Sequence, residues 1–220
     1  MGITYEKSRT ICCSDATGSM SGLWGATKEY IQVMFERMKS MVDEEYFEMM
    51  WIAYHDYDVT PVIEKSSWSN NVSVLQSFVD GIGLDGGGND GGEAVELALQ
   101  EAVREHDMEE ITQIILIGDE CPHLEGKGND IRKGVTLSTD YLEQTRNLSQ
   151  RQVPIHTFFI PDTRNNLEKL ETTFREMSEG TGGIADEMEN ADQLVDIVCE
   201  KVMYDVGGDD LVAEYRAKYG

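Results

Sequence analysis

Apolar positions change period in a regular way along this chain. Short runs of β-branched and apolar residues, which suit strands, alternate with stretches where apolar residues recur every three or four positions, which suit helices. The first run is Arg9 to Ser14, after which Tyr30, Val33, Met34, Met38 and Met41 share one helical face between about Gly22 and Val42. Phe47 to Tyr54 and Val59 to Ile63 read as strands joined by the few residues around His55-Asp56-Tyr57-Asp58. So short a link permits only antiparallel pairing, because a parallel crossover needs about a dozen residues or more.

Val72, Leu75, Phe78, Val79 and Ile82 predict the next helix, and a glycine-dense loop from Gly81 to Gly92 leads to another over Glu93 to Glu105. Ile111 to Gly118 is almost continuously apolar, as expected of a central strand buried on both faces. A polar loop from His123 to about Leu137 precedes a helix over Thr139 to Arg151 and a strand over Ile155 to Ile160. Asn165 to Ser178 is helical and halts at Gly180-Thr181-Gly182-Gly183, a stop signal of the kind that ends helices. A short strand near Ile184 and a helix over Asp192 to Tyr204 complete the alternation. This order predicts a doubly wound, mostly parallel α/β sheet with one antiparallel edge hairpin strand and helices on both faces. Residues 1–206 are expected to form one domain, and 207–220 a C-terminal tail read as a peripheral helix.

Charge narrows the partners. Lys and Arg number 18 against 42 Asp and Glu, a net charge of −24. A chain this acidic is a poor ligand for a phosphate backbone or for an anionic membrane surface, so neither nucleic acid nor membrane is expected as a partner. No apolar stretch approaches the roughly 20 residues of a spanning helix. Met1 to Arg9 has neither the apolar core nor the cleavage site of a secretory signal. Of the four cysteines, Cys12 and Cys13 adjoin on one strand and point to opposite faces, while Cys121 and Cys199 lie far off. No disulfide framework is indicated, and a cytoplasmic location is expected.

Candidate chemistry gathers where strands end. Asp15-Ala16-Thr17-Gly18-Ser19-Met20 follows the first strand and sets a carboxylate and two hydroxyls at alternate positions. In a turn leaving a strand such side chains can converge, and hard oxygen ligands suit Mg²⁺ or Mn²⁺ better than zinc. The plainer reading makes the same residues caps for the helix that follows. Asp119 ends the most apolar strand, and Asp90 lies in Gly86-Gly87-Gly88-Asn89-Asp90-Gly91-Gly92-Glu93. A doubly wound sheet binds ligands at the carboxyl ends of its strands, where strand order reverses.

Together, Asp15-x-Thr17-x-Ser19 followed by Met20, the loop Gly86 to Glu93, and Asp119-Glu120-Cys121-Pro122-His123 resemble the von Willebrand factor type A domain with its metal-ion-dependent adhesion site. The similarity runs from Arg9 to about Tyr204 and is closest to the intracellular branch found with alpha-type protein kinases and bacterial relatives. It implies direct ligation by Thr17 and Ser19, and ligation by Asp15 and Asp119 directly or through water. Asp90 stands where many relatives carry threonine, which would make the site more negative. The implied cofactor is Mg²⁺ or Mn²⁺, with Ca²⁺ less favoured. The implied function is an intracellular protein-interaction module without turnover, its partner offering an Asp or Glu carboxylate to the metal from a basic-rimmed surface.

Other motifs weigh less. Gly81-x-Gly83-x-x-Gly86 follows a helical rather than a strand pattern, and Asp85 and Asp90 would repel a pyrophosphate. The run Asp15-x-Thr17-Gly18 is also similar to haloacid-dehalogenase phosphatases, with Asp15 as nucleophile, but Thr17 stands where those enzymes need a second Asp as general acid. Cys121 and His123 lack the second ligand pair of structural zinc, and His55-Asp56 reads as turn chemistry, with a carboxylate that the hairpin can bring near the sheet edge. The eleven methionines read as core filler.

Overall fold

A computed structural model describes residues 4–84, 92–123, 139–161, 167–189 and 193–220. Its elements in chain order are β1 (Ser8–Asp15), α1 (Ser21–Lys39), β2 (Phe47–Tyr54), β3 (Ile63–Lys65), α2 (Val72–Gly81), α3 (Val95–Met108), β4 (Gln113–Gly118), α4 (Tyr141–Gln150), β5 (Ile155–Phe159), α5 (Leu167–Thr181), β6 (Ala185–Glu187) and α6 (Leu194–Tyr219).

The strands form one sheet in the order β3-β2-β1-β4-β5-β6. All pairs are parallel except β2 with β3. The expected fold class is therefore the observed one. Two apolar layers cover the sheet. One packs Leu23, Trp24, Phe35 and Met38 of α1, Leu75 and Val79 of α2 and Val198, Val202 and Met203 of α6 on one face. The other packs Val95 and Leu99 of α3, Leu148 of α4 and Leu170 and Phe174 of α5 on the opposite face. Cys12 belongs to the first layer and Cys13 to the second, as alternation along a strand requires. All four cysteines are buried free thiols.

β1, β2 and β4 are buried along almost their whole length. That explains why they read as unbroken apolar runs rather than alternating ones. Several boundaries differ from the sequence pattern, two of them with a clear cause. The hairpin strand is Ile63–Lys65 rather than Val59 to Ile63, because residues 57–62 are occupied by turns and bends. The third helix begins at Val95 rather than Glu93, because Glu93 forms a parallel bridge with Pro122 instead. In α6 the helix is broken at Gly208, whose φ of 66° and ψ of −160° are open to glycine. Beyond it Leu211 and Tyr215 are buried in the first layer. No helix among the described residues is long and apolar enough to cross a membrane.

β1 lies between β2 and β4, so strand order reverses at β1, the point where such sheets bind ligands at their carboxyl ends. Asp15 closes β1, and Asp119 directly follows β4.

Candidate metal centre

The turn after β1 is built from its own side chains. The Thr17 amide donates to Asp15 Oδ1 at 2.8 Å, and the Thr17 and Ser19 hydroxyls meet at 3.1 Å. The Trp24 indole N–H, from α1, donates to the Asp15 carbonyl at 2.6 Å and holds the turn against the sheet. The Ala16 amide continues the ladder onto the Tyr54 carbonyl at 2.8 Å. The capping alternative fails here. Thr17 precedes a short 3-10 turn over Gly18–Met20 without a side-chain cap bond, and α1 likewise begins without one. The two hydroxyls bond to each other rather than to a helix end, and their remaining lone pairs can still ligate a cation.

Asp15 is fully buried and Asp119 nearly so. Asp15 Oδ2 has no hydrogen-bond partner among the described residues. Burial first, and the neighbouring Asp119 charge second, push the Asp15 carboxyl well above the ordinary carboxylate range, against the pull of the Thr17 amide. Two carboxylates held together in a dry crevice repel each other unless a proton or a cation lies between them. Beneath them the Tyr54 hydroxyl donates to the Ile117 carbonyl at 2.9 Å, in the space that a side chain at Gly118 would need.

A third carboxylate belongs to this edge, and sequence reasoning missed it. Glu93 is 3% exposed, and its Oε2 also lacks a hydrogen-bond partner among the described residues. Burial first, then the charges of Asp15, Asp56, Asp119 and Glu120, raise its carboxyl to about 11. A glutamate opening a helix is ordinary helix chemistry, which hid its role. The available signal was the glycine before it, Gly92, where an added Cβ would come within 2.8 Å of the His123 imidazole.

The loops are tied together by a second polar group. His123 Nε2 and Asp56 Oδ1 lie 2.9 Å apart, both buried. Glu96 accepts from the Tyr57 hydroxyl at 2.7 Å and from the His123 amide at 3.3 Å. The Glu93 amide donates to the Cys121 carbonyl at 2.9 Å, and the Ala94 amide to the His55 carbonyl at 3.1 Å. His55-Asp56 therefore does more than make a turn: Asp56 joins the β2–β3 connection to the Asp119 loop.

Of the expected ligands, the structure brings Asp15, Thr17, Ser19 and Asp119 to one sheet edge. Asp90 lies outside the described residues. Among the described residues no three His, Cys, Asp or Glu side chains are gathered closely enough to hold a metal ion by themselves. A centre here draws on hydroxyls as well as on carboxylates. The donor set fits a hard divalent cation, since it is all oxygen, largely buried, and leaves acceptor atoms unused.

No protein-family model and no curated protein sequence matches the chain. Its backbone is similar to several solved structures. The pilus adhesin SpaC of Lactobacillus rhamnosus GG matches with a TM-score of 0.68 and 11% identity, over 96% of this chain and 31% of that one. BatB, a conserved hypothetical protein of Bacteroides thetaiotaomicron, matches with a TM-score of 0.58 and 14% identity, over 96% and 99% of the two chains. A von Willebrand factor type A protein of Catenulispora acidiphila matches with a TM-score of 0.61 and 15% identity, over 91% of this chain and 43% of that one. The chain thus spans about a third of the adhesin and less than half of the Catenulispora protein. What these likenesses establish is the architecture: the chain has the fold of a von Willebrand factor type A domain.

Proposed function

We propose that this chain is a divalent-cation-dependent protein-interaction module of an intracellular regulatory assembly. Asp15, Thr17, Ser19 and Asp119 hold Mg²⁺ or Mn²⁺, and Asp90 is the further ligand that the sequence pattern adds. The observation that carries this reading is Asp15 itself, a fully buried carboxylate with one oxygen unbonded, beside Asp119 and at the same turn as two uncapping hydroxyls. The cation supplies a coordination position open to an oxygen ligand from outside. This chain's residues hold the ion, and the Trp24 and Tyr54 hydrogen bonds keep the turn and the strand ends in place.

Interaction rather than turnover is supported by the fold and by its use in the pilus adhesin it matches. The four free thiols suit an intracellular setting. With a net charge of −24, a partner that brings an Asp or Glu to the metal needs a basic rim around it. The test is a peptide with one central Asp flanked by Lys and Arg. It should bind in millimolar Mg²⁺, release on chelation, and associate more slowly as salt rises. Equal binding with and without chelator would contradict the metal role, and a salt-insensitive on-rate the steering. Asp15-dependent hydrolysis of an aryl phosphate would instead favour the phosphatase chemistry.

A further inference from the structure

The buried carboxylate of Glu93 is not explained by the fold. Neither an ion pair nor a side-chain hydrogen bond of Glu93 is found among the described residues, and its Oε2 is enclosed without a partner. A buried oxygen without a partner is unfavourable in a folded protein, so its retention calls for a ligand. Its backbone, by contrast, is firmly fixed. The amide bonds to the Cys121 carbonyl, the next amide bonds to the His55 carbonyl, and Gly92 before it lies close against the His123 imidazole. Asp56 holds that imidazole through Nε2, and Glu96 accepts from the His123 amide. Glu93 is thus presented by three connections at once, those that follow β2 and β4 and the one that precedes α3.

We propose that Glu93 is a further carboxylate of the cation centre, and that it serves the ion's retained waters rather than the ion directly. This rests on the metal-binding reading of Asp15, Thr17, Ser19 and Asp119. The role through water follows from two facts. No three acidic side chains among the described residues close into a direct cage, and Mg²⁺ keeps several waters that need acceptors. The charges of Asp15 and Asp119 act on Glu93, and Tyr54 lies within the field of all three. A carboxylate placed this way orients bound water and adds negative charge without occupying a coordination position, so the position for an outside ligand stays open.

The experiment is a Mn²⁺ titration of the full chain, stripped of metal, alongside Glu93→Gln and Glu93→Ala, with thermal unfolding of each metal-free protein. Glu93→Gln should bind Mn²⁺ about 10- to 100-fold more weakly than the parent, as outer-shell carboxylates usually do. The metal-free Glu93→Gln protein should nevertheless melt higher than the parent, because a buried unsatisfied acid has been removed. A merely structural glutamate would not give these opposite signs. Affinity within twofold of the parent for both variants would overturn the role of Glu93 and leave the metal centre standing. Failure of the parent to bind Mn²⁺ would overturn both.

Discussion

The two edges of the sheet treat buried polar groups in opposite ways. Where the strands begin, such groups are matched. Arg9, 6% exposed, pairs with Glu48 and with Glu109, donates to the Glu110 carbonyl at 3.2 Å, and lies 4.2 Å over the Trp68 ring. The Ser8 and Thr10 hydroxyls meet at 2.8 Å, Gln113 donates to Thr10 and to the Lys201 carbonyl, and Thr112 bonds Asp205. Where the strands end, Asp15 Oδ2, His55 Nδ1 and Glu93 Oε2 are buried without hydrogen-bond partners among the described residues. Folding alone gives no reason for this asymmetry, since both edges belong to the same sheet and core. It is the asymmetry expected if the carboxyl edge holds the proposed cation.

The largest difference between the edges is expected when the tie between the carboxyl-edge loops is cut. Asp56→Ala leaves His123 Nε2 and the Tyr57 amide without the acceptor they share, and should cost about 3 kcal/mol in urea unfolding. It should also weaken Mn²⁺ binding. Arg9→Ala, at the other edge, should cost about 2 kcal/mol through lost hydrogen bonds and stacking on Trp68, by the same amount with and without metal. A metal-dependent cost for Arg9→Ala would erase the distinction between the edges.

pH acts on the two edges with opposite sign. Burial raises Glu96 from 4.5 to about 7, so the native state keeps a proton that the unfolded chain releases, and stability falls as pH rises through that window. Burial lowers His156 from 6.5 to about 4, so the unfolded chain takes up a proton that the native state refuses, and stability falls as pH drops through that window. Denaturant midpoints of the metal-free protein across both windows should show Glu96→Gln removing the first slope and His156→Gln the second. The smallest effect is expected on the outer surface. Arg175→Ala breaks a helical pair with Glu171 at 2.8 Å between half-exposed side chains, and should change stability by less than about 0.5 kcal/mol.

The sequence was most informative where one property decides structure. Ile111 to Gly118 and Phe47 to Tyr54 are apolar enough to specify buried strands, and the short link at His55 to Asp58 forces the antiparallel edge. The hairpin strand was placed too early, because a strand of three residues carries little periodicity and the turn before it contains Val59 and Val62. Asp15 and Asp119 were legible through their position after strands. Glu93 and Asp56 were not, because their surroundings are assembled across the fold. Glu93 meets the Asp119 loop through a bridge to Pro122, and Asp56 meets His123 from 67 residues away. Spacing along a chain carries no trace of such pairings.

On the proposed reading, the carboxyl edge is built for a divalent cation. Thermal unfolding of the metal-stripped chain, with and without Mg²⁺ or Mn²⁺, tests it most directly when repeated on Asp15→Ala. At 100 times its dissociation constant the ion should stabilise the parent by about 2.7 kcal/mol, and the rise should vanish in Asp15→Ala. A parent that melts at the same temperature with and without the ion would contradict the account.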